Sequence, residues 1–375
     1  MKFKINTRVL SQNLNHVSRA VSLKSPIPVL SGILFDVKND GLTIIGSDNE
    51  LSIKIEIPVS EDYLLEIERE GAIVLNSKYI LDIVKKIDED VVTFEILDGE
   101  FIKISTNRSV FNLNGVAATE YPKIDMSTTN TPIKFEQDVF KTIIDQTVFA
   151  VSLNENRPIL TGINFNINGD LLLVNSTDSY RLSHKRLTLD EAIDIAVNIV
   201  IPGKSLNELS KMISGNDVIE MHIYTNKVLF TFGNIIFQSR LLEGTYPDTS
   251  KLIPLSFEFN VIAKSYDLIA SIDRASLIAR DRSKNVVKFS TETRTDAKIT
   301  SNSPEIGKVV EDVIIDKDID NDFTISFSAK YMIEAIKSLK CEEVRVSFNG
   351  DMKPFIIKNI DDDSVIQLVL PVRTY

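Results

Sequence analysis

The spacing of hydrophobic positions changes along the chain, and each spacing predicts one kind of element. In residues 51–57, LSIKIEI, every second side chain is apolar, which is the pattern of a strand with one buried face. In residues 9–21 the apolar side chains recur at intervals of three and four, which predicts an amphipathic helix, and residues 80–87 and 332–339 show the same spacing. A strand, a helix and several strands follow one another repeatedly, so the fold class predicted is α+β with antiparallel sheets.

The chain also repeats itself at an interval of about 125 residues. PVLSGILFDVKNDGLTIIGSD from Pro28 matches PILTGINFNINGDLLLVNSTD from Pro158, and three helical segments carry Lys78, Lys204 and Lys330 at equivalent positions 126 residues apart. This interval is far longer than the unit of a solenoid, so each copy is a domain. We predict domains at residues 1–125, 126–253 and 254–375, each with two helices and roughly eight strands, and turns at Asp98-Gly99 and Asn168-Gly169.

Composition narrows the class of protein. Hydrophobic residues make up 43% and charged residues 25% of the 375 positions, which is ordinary for a globular protein, and no apolar run is long enough to span a bilayer. The N-terminal segment lacks the pattern of a secretory signal, and the single cysteine, Cys341, is consistent with a reducing cytosol. Three histidines and one cysteine argue against a zinc site, and a net charge of −11 argues against a protein that coats nucleic acid.

The segment TDSYRL, residues 177–182, has the residue types of an active site. Asp178, Tyr180 and Arg181 offer a carboxylate, a phenol and a guanidinium, but no neighbouring histidine or cysteine completes a nucleophile pair. Asp178 is matched by Asp48 in the first repeat, where Tyr and Arg are absent, which favours a turn held by Asx-type bonds. An enzyme that uses these three residues in a cleft, and a binding module unrelated to DNA, remain as alternatives.

Three further features have two interpretations each. Residues 361–363, DDD, are interpreted as a solvated turn rather than a metal site. The lysines at the three helix starts are either solubilising side chains or, since the repeats are alike, a common basic side of an acidic protein. The terminal IQLVLPVRTY is either a core strand or, because Pro371 cannot donate to a sheet, the wall of a surface groove.

Taken together, IPVLSGILF, RPILTGINF, STDSYRLS, GTYPDTSKLIP and LVLPVRTY resemble the bacterial DNA polymerase III beta subunit family, the replicative sliding clamps, along the full length. The resemblance implies the DNA clamp fold, with three similar domains per chain and a head-to-tail homodimer that closes into a ring. It implies a processivity factor that is not an enzyme and has no catalytic residues, metal or cofactor. The implied location is the bacterial cytoplasm, at the nucleoid during replication, with no membrane association.

The resemblance also implies partners and sites. The partners are double-stranded DNA, bound without sequence specificity, and the replicative polymerase, the clamp loader and repair proteins, bound through short linear peptides. The residues implied to form the peptide groove are Leu160, Thr177, Tyr180, Arg181, Leu182, Pro247, Leu252, Met352, Leu368, Leu370, Pro371, Val372 and Arg373. Those implied to face DNA are Lys24, Lys78, Arg157 and Lys204, and those implied at the dimer interface are Arg108, Phe111, Leu113, Leu277, Ile278 and Glu305. Tyr180 stands where many members have histidine, and Lys251 where some have arginine.

Overall fold

The structure, a computed structural model, describes residues 1–279 and 285–373, and the last two residues of the LVLPVRTY motif lie outside this part. Six α-helices occur in the described residues: α1 (Thr7–Val17), α2 (Ser77–Lys86), α3 (Gln137–Thr147), α4 (Gly203–Ser210), α5 (Ser265–Ala279) and α6 (Ala329–Leu339). The first two helices have asparagine N-caps. The Asn6 side chain accepts hydrogen bonds from the backbone N–H groups of Arg8 and Val9, and the Asn76 side chain accepts one from that of Tyr79.

Twenty-five strands occur in the same residues. In the first sequence repeat they are β1 (Lys2–Asn6), β2 (Gly32–Lys38), β3 (Gly41–Ser47), β4 (Leu51–Pro58), β5 (Glu66–Arg69), β6 (Gly71–Asn76), β7 (Val91–Asp98), β8 (Phe101–Ser105), β9 (Val110–Asn114) and β10 (Val116–Ala117). In the second they are β11 (Ile133–Glu136), β12 (Gly162–Thr177), β13 (Arg181–Pro202), β14 (Val218–Ile223), β15 (Lys227–Phe232) and β16 (Ile235–Arg240). In the third they are β17 (Phe259–Lys264), β18 (Val286–Thr291), β19 (Asp296–Ser303), β20 (Gly307–Ile314), β21 (Asp316–Lys317), β22 (Phe323–Ser328), β23 (Glu343–Phe348), β24 (Phe355–Asn359) and β25 (Val365–Val369).

Most of the predicted elements are confirmed. The alternating side chains of β4 from Leu51 to Ile57 are buried, and Gly99 lies in a turn with φ of 53°. The turn predicted at Asn168-Gly169 is wrong, because β12 continues through it with an irregular register at Gly169, where φ is 62°. Two long strands there replace four short ones, so the second repeat has fewer strands than the eight predicted.

The structure divides into two compact units. The first contains residues 1–140 and 208–241 and has two antiparallel sheets, β5-β1-β7-β8-β9 and β10-β6-β2-β3-β4-β16-β15-β14-β11. Phe35 of the nine-stranded sheet stacks on Phe94 of the five-stranded sheet with ring centroids 5.9 Å apart, and Phe94 also stacks on Phe3. Helices α1 and α2 contact each other, and α1 also packs on β3 and β4. The apolar core of this unit therefore lies between its two sheets and the helices that pack on them.

The second unit contains residues 141–207 and the described residues from 242 onward. Its sheets are β12-β13-β25-β24-β23-β17-β21 and β20-β19-β18-β22. Phe348 of the larger sheet and Phe289 of the smaller one have ring centroids 6.0 Å apart, and α5 packs on α6 and on β18–β20. In each unit, one sheet joins strands from two successive sequence repeats, through β4 and β16 in the first unit and through β13 and β25 in the second.

Candidate functional site

The TDSYRL segment forms the turn between β12 and β13. The Asp178 carboxylate accepts hydrogen bonds from the backbone N–H groups of Tyr180 and Arg181, at 2.9 and 3.1 Å. The hydroxyl of Thr177 donates to the carbonyl of Arg181 at 2.6 Å, and Ser179 takes a left-handed conformation with φ of 77°. Asp178 is therefore an Asx-turn residue, as predicted, and the turn holds Tyr180 at the surface with 61% of the residue exposed.

The equivalent turn in the first repeat has the same geometry. Asp48 accepts hydrogen bonds from the N–H groups of Glu50 and Leu51, at 3.1 and 2.8 Å, and Asn49 takes a left-handed φ of 80°. The predicted structural role of both aspartates is confirmed. Leu51 occupies the position that Arg181 has in the second repeat, and it is buried.

The C-terminal segment lies beside the TDSYRL turn, as the resemblance implied. Leu182 of β13 and Leu368 of β25 are paired in register, and the N–H of Leu370 donates to the carbonyl of Tyr180 at 2.9 Å. Beyond Pro371, the N–H of Val372 donates to the carbonyl of Ser326 at 2.7 Å. The chain end is thus bonded both to the turn and to β22. Residues about 190 positions apart in sequence are neighbours here because β13 and β25 share a sheet.

Two apolar clusters border this region. Leu182 and Leu368 are buried with Ile356, and the half-buried Leu370 packs against them. Leu160 is buried with Val200 and Tyr246 in a separate cluster. The sequence thus identified the leucines of both clusters, but it indicated neither Ile356 nor Val200, nor that the clusters are separate.

A cleft of about 650 Å³ opens over the turn. Three predicted groove residues line it, Leu160, Tyr180 and Arg181. Arg157, predicted to face DNA, lines the same cleft, as does Lys330 of the threefold lysine set. Because Leu153 at this cleft is 88% exposed, the cleft offers apolar and cationic surface side by side. Such a lining is suited to an extended peptide that carries apolar and acidic groups.

Tyr246 stabilises the turn through a hydrogen bond, and the sequence did not predict this role. The N–H of Thr177 donates to the Tyr246 hydroxyl at 3.0 Å, and burial raises the pKa of Tyr246. Tyr121 has the same place in the first repeat, where its hydroxyl donates to the carbonyl of Ile45 and burial again raises its pKa. The signal was present in the sequence, since both tyrosines precede a proline near the end of a repeat.

The histidine that follows the turn is also structural. His184 hydrogen bonds to the Asn175 side chain at 2.7 Å, and burial is the main cause that lowers the pKa of His184. The hydroxyl of Thr249 donates to the same Asn175 oxygen at 3.3 Å. Because its half-buried ring is bonded to Asn175, His184 has a structural role beside the turn.

The remaining predicted site residues have these environments. Of the groove set, Pro247, Leu252, Met352 and Arg373 are exposed, and Pro371 and Val372 are half-buried. The DNA set, Lys24, Lys78, Arg157 and Lys204, is exposed throughout. Of the interface set, Phe111, Leu113 and Ile278 are half-buried, and Arg108, Leu277 and Glu305 are exposed. The roles assigned to these residues stay predictions.

Two further properties of the described residues concern metals and membranes. No group of three or more histidine, cysteine, aspartate or glutamate side chains in them is arranged to hold a metal ion. No helix among them is long and apolar enough to cross a membrane.

Repeats that share sheets, with a cleft that offers apolar and cationic surface beside the chain end, are features of a docking protein. Comparison with known proteins agrees. Models of the N-terminal, central and C-terminal domains of the DNA polymerase III beta subunit match residues 1–125, 134–248 and 250–373. The beta sliding clamps of Bacillus subtilis and Staphylococcus aureus are 43% and 40% identical to this chain, and each match covers all of both chains.

Solved structures give the same result. The crystal structure of the DNA polymerase sliding clamp from Bacillus subtilis is 42% identical with a TM-score of 0.94, and that of the beta chain from Streptococcus pneumoniae is 36% identical with the same TM-score. Each match covers all of both chains. The chain belongs to the DNA polymerase III beta subunit family, the bacterial sliding clamps. This family consists of processivity factors that are not enzymes, and the three-domain clamp fold is confirmed.

Proposed function

We propose that two copies of this chain close head to tail into a ring around duplex DNA and tether DNA-processing proteins to it. The observation that supports the ring best is the rule by which the repeats join. In both units, the outer strand of a hairpin in one repeat pairs with the last strand of the next repeat's sheet, as β4 pairs with β16 and β13 with β25. Both junctions are antiparallel and pair five residues.

The same rule leaves two strands for a second copy. In the third repeat the strand equivalent to β4 is β20, at the edge of the sheet β20-β19-β18-β22. The last strand of the five-stranded sheet in the first repeat is β9, which is also an edge. An edge strand with exposed apolar side chains is a site for pairing with another chain, and Val110 of β9 and Ile314 of β20 are 58% and 80% exposed. If β20 of each copy pairs with β9 of the other, two such junctions form and the dimer closes into a ring.

The predicted interface residues fit this arrangement. Phe111 and Leu113 belong to β9, and Arg108 precedes it. Glu305 precedes β20, and Leu277 and Ile278 lie on α5, which packs on β20. Isolated surface ion pairs contribute little, so we assign most of the binding free energy to the apolar residues.

DNA would be held by enclosure rather than by tight binding. We assign the exposed Lys24, Lys78, Arg157 and Lys204 to weak contacts with phosphates, which carry no sequence information and permit sliding. The excess of negative charge that makes the chain −11 overall then lies on the remaining surface, where it discourages adsorption of nucleic acid. The place of action is the cytoplasm, at the nucleoid during replication.

Partners would dock in the cleft over the TDSYRL turn. We propose that the replicative polymerase, the clamp loader and repair proteins insert short peptides whose Leu or Phe side chains contact the two aliphatic clusters. Burial of each such side chain contributes roughly 1.5–3 kcal/mol, which is enough for a tether that can be exchanged. The hydrogen bond from Leu370 to Tyr180 supports this placement, since it holds the C-terminal segment against a residue that lines the cleft.

Retention on DNA of different topology tests the ring. The protein is loaded onto a nicked circular plasmid by the clamp loader of the same organism and separated from unbound protein by gel filtration. We expect the protein to remain on the circle and to leave once a restriction enzyme linearises the plasmid. Equal loss from circular and linear DNA would contradict the ring, and native mass measurement of a dimer provides the control for assembly.

A further inference from the structure

We propose that Arg181 is a positioning residue of the groove and does not itself bind the partner peptide. In this assignment, Asp178 and Glu334 hold the Arg181 guanidinium and thereby fix the TDSYRL turn against α6. The inference rests on the proposed peptide docking, and it changes the role that the resemblance implied for Arg181, that of a donor to peptide carbonyls or acidic groups.

The side chain of Arg181 is already occupied within the chain. It is 7% exposed, its Nε donates to Asp178 at 2.9 Å, and its Nη1 donates to Glu334 of α6. Its Cζ atom lies 4.5 Å from the ring centroid of Tyr331 and 5.2 Å from that of Phe149. Two carboxylates and two aromatic rings thus surround the guanidinium, an environment that satisfies an arginine without a ligand.

The first repeat shows that the turn itself does not require an arginine. The turn at Asp48 has the same two backbone hydrogen bonds and the same left-handed residue, but Leu51 is buried at the position of Arg181. Burying a charge is costly, and a leucine would serve local folding. The charge in the second repeat therefore needs a further reason, and the structure offers one, since Glu334 connects the turn to a helix of the third repeat.

The position of this turn determines the groove. Asp178 bonds to the backbone of Tyr180 and to the side chain of Arg181, so a shift of the guanidinium moves the residue that projects into the cleft. The carbonyl of Tyr180 accepts from the N–H of Leu370, so the C-terminal segment bonded to it would move as well. A small displacement of positioning groups is enough to weaken recognition of an extended peptide.

The two roles predict opposite effects for Glu334→Gln. If Arg181 donates to the peptide, the substitution releases a donor and removes a negative charge beside the cleft, so binding is unchanged or tighter. If Arg181 positions the turn, a charged hydrogen bond is weakened and we expect peptide affinity to fall about tenfold. The probe is the tightest binder to the wild-type dimer from a library of labelled hexapeptides that contain Leu and Phe, measured by fluorescence anisotropy.

Glu208→Gln is the matched control. Glu208 of α4 also holds an arginine, Arg19, at 2.9 Å, and it belongs to the first unit, whereas the residues that line the cleft belong to the second. We expect this variant to bind the probe like the wild type. Thermal unfolding and native mass confirm that each variant is folded and dimeric.

Rescue gives an independent readout. Arg181→Leu alone should weaken binding of the probe. The double variant Arg181→Leu with Glu334→Met should recover part of the lost affinity, because an apolar pair can replace an ion pair between aromatic rings. A direct donor cannot be rescued in this way. Unchanged or tighter binding by Glu334→Gln, or no recovery in the double variant, would overturn the positioning role while leaving peptide docking intact. A wild-type dimer that binds no library peptide would overturn both proposals.

Discussion

Tyr180 is the most exposed of the predicted groove residues that line the cleft. The turn presents its ring to the cleft with 61% of the residue exposed, while its backbone is fixed by Asp178 and Leu370. A rigid aromatic ring with a polar tip loses little entropy on binding and covers a large apolar area. The ring is therefore suited to contact an apolar peptide residue directly.

We predict that Tyr180→Ala weakens binding of the hexapeptide probe about fivefold to tenfold, the loss typical of an aromatic interface residue. The backbone bonds of the turn do not involve the ring, so thermal stability should hardly change. Tyr266→Ala is the matched control, since Tyr266 is an exposed tyrosine of the same unit outside the cleft. Equal losses in the two variants, measured by anisotropy, would show that the Tyr180 ring makes no specific contact.

At this scale the sequence predicted turn chemistry well and long-range contacts poorly. The repeated aspartate at a strand end predicts Asx turns at Asp48 and Asp178, and each carboxylate accepts hydrogen bonds from the backbone two and three residues ahead. The contact between Arg181 and Glu334 spans 153 residues, and nothing in the local pattern of α6 distinguishes Glu334 from an ordinary exposed side chain. Such pairs depend on the packing of a helix on a distant turn, which hydrophobic spacing does not encode.

Among the elements, the strand edges have the clearest functional meaning. Strands β4, β13, β16 and β25 are covered by neighbours from the adjacent repeat, whereas β9 and β20 are not paired on their outer sides in the described residues. The period-two pattern predicted the strands but not which of them would meet. An alternating pattern fixes the buried face of a strand, and the partner depends on sheet order.

We predict that Val310→Lys, in the middle of β20, weakens dimerisation by at least about tenfold, because a lysine on an edge strand opposes pairing with another chain. Val310 is 48% exposed. Val218→Lys is the control, as Val218 is 50% exposed but lies on β14, between β11 and β15. Sedimentation velocity over a concentration series measures the dissociation constant, and identical values for the two variants would rule out β20 as the dimer edge.

For the whole molecule, charge and topology must be considered together. A protein with a net charge of −11 cannot rely on affinity alone to stay on DNA, and a closed ring does not need to. The sequence predicted the repeats and the basic helix starts, because both are periodic. It could not show that β20 and β9 are each unpaired on one side in the described residues, since that depends on how every other strand is paired.

Replacing the three lysines proposed to face DNA separates enclosure from affinity. In one variant, Lys24, Lys78 and Lys204 are all changed to Ala. We expect its affinity for short linear duplex to depend less steeply on salt, because the slope of log K against log salt concentration decreases by about one unit for each phosphate contact removed. Retention on a closed circle should persist, because it depends on the ring and not on the contacts. The control changes Lys38, Lys134 and Lys298 to Ala, which removes the same charge from exposed strand positions and should leave the slope unchanged. Equal slopes in the two triple variants would refute the assignment of these lysines, and loss of the first variant from closed circles would refute retention by enclosure.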